Sequence, residues 1–427
     1  MIKKLLADKE ALHYVLSKGG INFLFRMVAM LFSFIVMWFM TNYYGGTVWG
    51  NYSLALTVMQ IAAMFFALGL PNAFISFSGA FTSAEQSKGL LVKSIKLVLL
   101  SSIVPVLLFS MGAGFIASYI FEKEYMYNYI LIIALGVPCM MVHEIMCYYF
   151  MAVKKFILYG LSIFILPNVF LITALLFLYY NNIGDYFTFY AYIGAYLVTL
   201  IIGLVYIFGK RAKIIYPDIT KRDIFRKSFP MMMSGIFLLL LNWTDMLMLG
   251  RYVTSEMIGI YNTAFKIGYL SLFFVVSMNA VILPKVSELY HQKNTVEMKK
   301  VVHRSTQLVI LLTLPLAFGL IFFRDMILGV FDDHAGVGGV TLTLITLGGL
   351  YNAMTGNVDQ ILNMTNNHKS VSVIFFSGFV FNVILNLFLI PAYGIEGAAI
   401  ASLVTNIYVN TVFVIIIRKK LGFYTFI

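Results

Sequence analysis

Six ionisable side chains lie within long apolar stretches of the sequence. They are the cations Arg26 and Lys266, the carboxylates Glu144, Asp245 and Asp359, and His143, which precedes Glu144. A charge at the centre of a membrane helix costs about 2.5–3.5 kcal/mol on insertion scales, so such residues are functional candidates. Guanidinium and ammonium groups suit phosphate, whereas carboxylates and imidazole relay protons or bind a coupling cation.

The composition excludes a water-soluble enzyme. Of 427 residues, 61% are apolar and only 11% are charged, compared with about 25% charged in soluble domains. The two cysteines, Cys139 and Cys147, share one apolar run, which excludes a disulfide framework and an ordinary zinc site. Residues 1–12 lack a short hydrophobic core with a cleavage site, so we expect the first span to be retained.

Uncharged runs divide the chain into twelve predicted transmembrane helices, because each crossing needs about 20 apolar residues. No short alternating strands suggest a barrel, so helices must satisfy the backbone in lipid. We place the helices near 20–43, 51–75, 96–119, 127–151, 156–180, 186–208, 229–249, 258–283, 306–323, 340–364, 371–390 and 397–417.

The distribution of basic residues gives the orientation. With these spans, 25 of the 30 Lys and Arg residues fall on one side, and only Lys123, Arg251 and Arg324 fall on the other. Cytoplasmic segments carry the basic excess, so both termini are predicted to be cytoplasmic in a multi-pass protein of the inner membrane. The net charge of +12 is then a topology signal facing anionic lipid, and we expect no nucleic-acid partner.

A basic connection divides the predicted helices six and six. We therefore predict an N-terminal lobe at 1–208, a cytoplasmic linker at 209–227 and a C-terminal lobe at 228–427. Because six is even, both halves enter the membrane from the same side. A pseudo-two-fold axis would then run along the membrane normal, as in transporters that rock two bundles about a central cavity.

A short motif recurs after the first helix of each half. The pattern G-x-Y-x-x-A occurs as Gly50, Tyr52 and Ala55 in the first half and as Gly259, Tyr261 and Ala264 in the second. Its identical place in both halves favours an internal duplication.

Several ordered motifs together resemble a known family. They are Gly50-x-Tyr52, Gly69-Leu70, Pro230, Asp245 with Met248-Leu249-Gly250, Gly259-x-Tyr261-x-x-Ala264-x-Lys266-Ile267, Asn279, Pro284-x-x-Ser287, and Asn386-Leu387-Phe388-Leu389-Ile390-Pro391-x-Tyr393-Gly394-Ile395-x-Gly397-Ala398-Ala399. Over essentially its whole length the chain resembles the polysaccharide-transporter family of the multidrug/oligosaccharidyl-lipid/polysaccharide exporter superfamily, the flippases of O-antigen and capsule repeat units. The resemblance implies a MATE-like helical fold and transport of undecaprenyl-pyrophosphate-linked oligosaccharides to the outer leaflet.

Such a substrate carries two phosphates, and we expect Arg26 and Lys266 to bind them. The resembling lipid II flippases also place cations in the corresponding first and eighth helices. The alternative for Arg26 is a snorkelling anchor. The alternative for Lys266 is an ion pair with Asp245, since the hairpin of the seventh and eighth helices brings both to within about 5 Å in depth.

The remaining polar candidates have two interpretations each. His143, Glu144 and Asp359 are candidates for coupling to H⁺ or Na⁺, or for neutralising Arg26 and capping helix ends. Asn279, Asn382 and Asn386 are candidates for a polar cavity lining, or for hydrogen bonds between helices. We expect no metal and no organic cofactor.

Three other functions remain open. A cation-coupled multidrug exporter would be expected to have carboxylates where this chain has Arg26. Lipid II flippases usually have fourteen helices rather than twelve. A membrane glycan polymerase or ligase needs a catalytic acid or base on an extended outer loop. The predicted outer loops contain no paired acid–base motif. The expected partners are the lipid-linked substrate, the bilayer and other polysaccharide assembly proteins.

Overall fold

The computed structural model describes residues 9–78, 81, 83–209, 214–331 and 335–426. These residues are almost entirely helical, and no β-strand occurs among them. The all-α class predicted from hydropathy is therefore confirmed.

Among the described residues before position 209, nine α-helices occur. They are α1 (Lys9–Phe39), α2 (Gly46–Phe66), α3 (Leu70–Ser78), α4 (Ala84–Met111), α5 (Ala113–Phe115), α6 (Met126–Ala152), α7 (Phe156–Gly160), α8 (Leu166–Tyr180) and α9 (Phe187–Phe208). Three short π-helical segments extend or join them: Met40–Tyr44, Ile116–Ile120 and Leu161–Ile165.

The described residues after position 213 form eight more α-helices. They are α10 (Lys221–Tyr252), α11 (Ser255–Gly268), α12 (Phe273–His291), α13 (Thr295–Phe322), α14 (Arg324–Gly329), α15 (Gly339–Thr355), α16 (Val358–Met364) and α17 (His368–Leu421). Two 3₁₀ segments, Tyr269–Leu272 and Ala335–Gly338, connect members of this set.

Nine segments of the described residues are long and apolar enough to cross a membrane, which makes the chain a multi-pass membrane protein. The predicted number of twelve stays a prediction. The segment His368–Leu421 has 54 residues, and at 1.5 Å per residue it is more than twice as long as one crossing requires.

The backbone reverses inside α17 where the sequence predicts a connection between helices. Gly394 has left-handed dihedrals, with φ 57°. An atom added at the Cβ position of Gly397 would lie 2.1 Å from the carbonyl oxygen of Leu389, whereas residues eight apart in a straight helix are about 12 Å apart. Pro391, which has no N–H, begins this reversal. Predicted helices 371–390 and 397–417 correspond to its two arms.

Two predicted helices are interrupted. The helix predicted at 51–75 is broken between α2 and α3, where Leu68 (φ 53°) and Gly69 (φ 69°) are left-handed. The helix predicted at 340–364 is broken at Gly356 (φ 79°), between α15 and α16. Hydropathy could not locate these breaks, because it does not report backbone dihedral angles.

The chain forms two compact units. Unit 1 comprises Met1–Phe39 and Ala55–Met233, and unit 2 comprises Met40–Leu54 and Ser234–Ile427. Within unit 1, α6 packs on α4 and α9. Within unit 2, α15 packs on α13 and α17.

Candidate functional site

In unit 1, Arg26 lies over an aromatic ring. The guanidinium carbon of this exposed residue is 5.8 Å from the centroid of Phe164, a cation–π contact. A Cβ at Gly160 would lie 2.1 Å from the Phe25 ring, so the glycine lets α7 approach α1. Among the described residues, no carboxylate forms an ion pair with Arg26.

His143 is buried and bonded to the backbone. Its Nε2 lies 3.1 Å from the carbonyl oxygen of Ser162, and since a carbonyl only accepts, Nε2 carries the hydrogen. That carbonyl is available because the N–H of Leu166 bonds one residue further back, to Leu161, and Pro167 has no N–H. This geometry favours a structural role for His143, and its role in ion coupling stays a prediction.

Glu144 lies near Arg26 without pairing with it. Its half-buried carboxylate has no hydrogen-bond partner among the residues the structure describes. The charges of Glu144 and Arg26 both act on the hydroxyls of Tyr148 and Tyr159. The two predicted site residues therefore lie around the same pair of tyrosines.

In unit 2, Asp245 is the centre of a buried polar cluster. Its carboxylate accepts hydrogen bonds from Tyr261 Oη (2.8 Å), Asn386 Nδ2 (2.7 Å) and Ser402 Oγ. Asn386 also donates to Asn382 Oδ1 at 2.9 Å. The predicted residues Asp245, Asn382 and Asn386 are thus brought together, and the carboxylate is held by neutral donors.

Lys266 does not pair with Asp245. The half-buried ammonium lies 4.7 Å from the Trp49 ring centroid, and no ion pair joins it to any carboxylate in the described part of the chain. The depth estimate ignored direction around the helix: Tyr261, which bonds Asp245, is five residues before Lys266, a rotation of about 140°. Lys266 therefore shares a face of α11 with Gly259 and Thr263, and the predicted ion pair is not formed.

The other two candidates lie apart from this cluster's hydrogen bonds. Asp359 is in the first turn of α16 and accepts a bond from Gln360 Nε2 at 2.8 Å. A carboxylate is stabilised at a helix N-terminus, which is the capping alternative given for it. Asn279 lies in α12, and its buried Oδ1 has no partner in the described structure.

A small cavity of about 60 Å³ adjoins the Asp245 cluster within unit 2. Asn382, Ser402 and Thr405 line one part of it, and Asn242, Ser271 and Asn406 add further polar groups. A polar cavity of this size holds a few water molecules. Hydroxyl and amide groups, among them those of Ser402 and Asn382 from the cluster, thus lie next to a space large enough for water.

Three contributors were missed by sequence reasoning. Nothing in the sequence around Trp49 or Ser402, apart from apolar or small neighbours, indicated that either residue belongs to the site. Tyr261 was noted only as part of the repeated motif, yet its hydroxyl directly bonds Asp245.

Known proteins resemble this chain in sequence. The family model described as polysaccharide biosynthesis protein matches residues 15–290, and the MatE model matches residues 230–388. The probable low-salt glycan biosynthesis flippase Agl15 of Haloferax volcanii is 29% identical over 229 residues, covering 52% of this chain and 47% of that protein. The probable flippase AglR of the same organism is 25% identical over 170 residues, covering 38% and 35%. The chain spans about half the length, or less, of these relatives.

Solved structures share the fold. An inward-facing MATE multidrug transporter of the MOP superfamily superposes with a TM-score of 0.76 at 14% identity, covering 94% of both chains. The lipid II flippase MurJ in its inward closed conformation gives 0.75 at 18% identity, covering 94% of this chain and 87% of that one. The chain therefore belongs to the polysaccharide biosynthesis protein family and has the fold of the MOP superfamily of membrane transporters.

Proposed function

We propose that the protein is a flippase that moves undecaprenyl-pyrophosphate-linked oligosaccharide units from the inner to the outer leaflet of the cytoplasmic membrane. The product serves cell-surface polysaccharide assembly, such as O-antigen or capsule, together with other assembly proteins. In this proposal the protein transports its substrate and performs no chemistry on it. Twelve helices in two six-helix lobes, with both termini cytoplasmic, alternate access to a central polar path.

One observation carries the proposal. Arg26 and Lys266, the two cations within predicted membrane helices, each lie over an aromatic ring and form no ion pair within the described part of the chain. A cation–π contact contributes about 0.5–2 kcal/mol, less than a charge-assisted bond between a cation and a phosphate oxygen gives in a dry site. Both cations are therefore retained in the membrane and remain available to an anion.

A diphosphate substrate requires polar and cationic side chains along its path through the membrane. Moving an ionised group without partners into a medium of low dielectric constant costs tens of kcal/mol by Born estimates. A diphosphate head group must therefore pass along polar and cationic side chains, while its polyprenyl tail stays in lipid. Lys266 and Arg26 provide the cations, and Asn279 is a further polar group of the proposed path.

We also propose that Asp245 is the ion-coupling residue. The buried Asp245 carboxylate, with the hydroxyl oxygens of Tyr261 and Ser402 beside it, suits one Na⁺ or one proton, since hard cations prefer oxygen ligands. No group of three or more His, Cys, Asp or Glu side chains capable of holding a metal occurs in the described residues, so a monovalent ion fits better. Glu144 and Asp359 are secondary candidates for the same role, and His143 is the weakest.

The test uses alanine variants with a matched control. Lys155 makes the same kind of contact, with its ammonium 4.9 Å from the Tyr206 ring centroid, but lies in a predicted cytoplasmic loop. Arg26→Ala and Lys266→Ala should abolish surface glycan at normal protein levels, whereas Lys155→Ala and Lys266→Arg should retain it. Normal glycan in both Arg26→Ala and Lys266→Ala would refute the phosphate-binding assignment.

A multidrug exporter is the second candidate, because the MatE model matches residues 230–388 and the MATE multidrug transporter DinF-BH has the same fold, with a TM-score of 0.70. Protection of cells against cationic dyes, lost in Asp245→Asn and kept in Lys266→Ala, would support that candidate. The positions of Arg26 and Lys266 over aromatic rings favour an anionic transported molecule over a cationic drug.

Transport of lipid II would use the same diphosphate chemistry and is distinguished by its sugar. A glycan polymerase or ligase would instead lengthen the glycan when reconstituted alone.

A further inference from the structure

The two copies of the repeated motif pack directly on each other within unit 2. Four residues before the glycine that begins each copy lies another small residue: Gly46 precedes Gly50 in α2, and Ser255 precedes Gly259 in α11. A Cβ at Gly50 would lie 1.7 Å from the carbonyl oxygen of Ser255, and one at Gly259 would lie 2.5 Å from that of Gly46. Corresponding positions therefore meet reciprocally, backbone against backbone, as in small-xxx-small helix crossings.

Side chains of the next turn hold the crossing together. Asn262 Nδ2 donates to Ser53 Oγ at 2.5 Å, and the indole N–H of Trp49 donates to Thr263 Oγ1 at 3.1 Å. Both bonds are buried. Lys266, one turn further along α11, places its ammonium over the same Trp49 ring.

The geometry suits a contact that opens and closes. Small residues make the closest approach, and the large side chain at the crossing, Trp49, is held by its bond to Thr263 and its contact with Lys266. The chain enters α2 through the π-helical segment Met40–Tyr44 and Gly45, whose φ is 88°, and π-helical turns and left-handed glycines are points where helices bend. The positive-inside pattern predicts that this end of α2 faces the outer side.

We propose that this crossing is the outer gate of the transporter and that a substrate diphosphate releases it through Lys266. The inference rests on the proposed function, since it assigns regulation to the phosphate-binding lysine. When the ammonium bonds a phosphate oxygen, Trp49 loses its cation–π contact. The indole then holds the crossing only through its bond to Thr263. Substrate binding thereby weakens the outer closure, which allows outward release.

The gate is tested by cross-linking. Native Cys139 and Cys147 are replaced by Ala, and the pair Ser53→Cys with Asn262→Cys is introduced at the hydrogen-bonded positions. Oxidation should form the cross-link and reduce transport at least tenfold, and reduction should restore it. A control pair, Thr355→Cys with Asn410→Cys, replaces side chains 3.4 Å apart in α15 and α17 and should cross-link without loss of transport. Failure of the first pair to cross-link, or full transport when cross-linked, would overturn the gate.

Coupling to the anion is tested separately with inorganic pyrophosphate. In a Trp38→Phe, Trp243→Phe background, Trp49 is the one tryptophan left of three, and its emission reports whether the ammonium lies over the ring. Pyrophosphate should shift the emission and slow cross-linking of the Ser53/Asn262 pair several-fold, and Lys266→Met should abolish both effects. An emission shift with an unchanged cross-linking rate would refute coupling while sparing the phosphate site. No shift at all would refute the phosphate site itself.

Discussion

Gly50→Ala is expected to widen the crossing of α2 and α11. The added methyl would lie 1.7 Å from the Ser255 carbonyl oxygen, half of the 3.4 Å at which ordinary contact begins. The obstacle is backbone and cannot rotate away, so the helices must separate. Overpacking of this kind costs about 1–3 kcal/mol, which corresponds to a shift of about 5- to 150-fold in the closed-to-open ratio at 1.4 kcal/mol per factor of ten.

The assay is the cross-linking rate of the Ser53/Asn262 cysteine pair with and without Gly50→Ala. We expect the rate to fall at least fivefold. Gly319→Ala in α13 is the matched control, because nothing lies within 4 Å of its Cβ position, and it should leave the rate unchanged. An unchanged rate in Gly50→Ala, with protein present at normal levels, would show that the helices do not meet as described and would refute the reasoning.

Three further predictions concern the buried polar groups. Asp245→Asn keeps the size of the side chain but removes its charge, so transport should lose its dependence on a Na⁺ or H⁺ gradient in vesicles; a gradient response equal to wild type would exclude Asp245 as the coupling residue. Because Lys266 and Asp245 form no ion pair, the losses of stability caused by Asp245→Asn and Lys266→Met should add to within about 0.5 kcal/mol in a double-mutant cycle. A larger coupling energy, measured by thermal unfolding, would instead support an ion pair between them. His143→Phe leaves the Ser162 carbonyl buried without a donor, which should cost about 1–3 kcal/mol of stability while folded protein still transports; lost transport at unchanged thermal stability would instead support ion coupling.

Hydropathy located several helices closely. Predicted helices 127–151 and 186–208 agree with α6 and α9 to within one residue at each end. The transfer free energy into lipid is a property of each side chain, so the sequence carries it directly. The polar start of α4 was missed for the same reason: the helix begins at Ala84, where Ser83 accepts a bond from the N–H of Gln86, and no apolar run predicts that start.

The site was predictable by residue type but only partly by geometry. Asp245 and Asn386 were both identified, and the structure bonds them at 2.7 Å. The ion pair with Asp245, which was the alternative for Lys266, does not form, because depth along a helix hairpin does not determine the direction of a side chain around its helix. The sequence did not predict the π-helical segment Leu161–Ile165, which leaves the Ser162 carbonyl free to bond His143.

The assignment of Lys266 to phosphate binding can be measured as transport of a fluorescent polyprenyl-pyrophosphate oligosaccharide in proteoliposomes. We expect that Lys266→Ala lowers the initial rate at least tenfold, that Lys266→Arg retains most of it, and that Lys155→Ala matches wild type. Equal rates for Lys266→Ala and wild type would contradict a cation held over Trp49 for the substrate's phosphates.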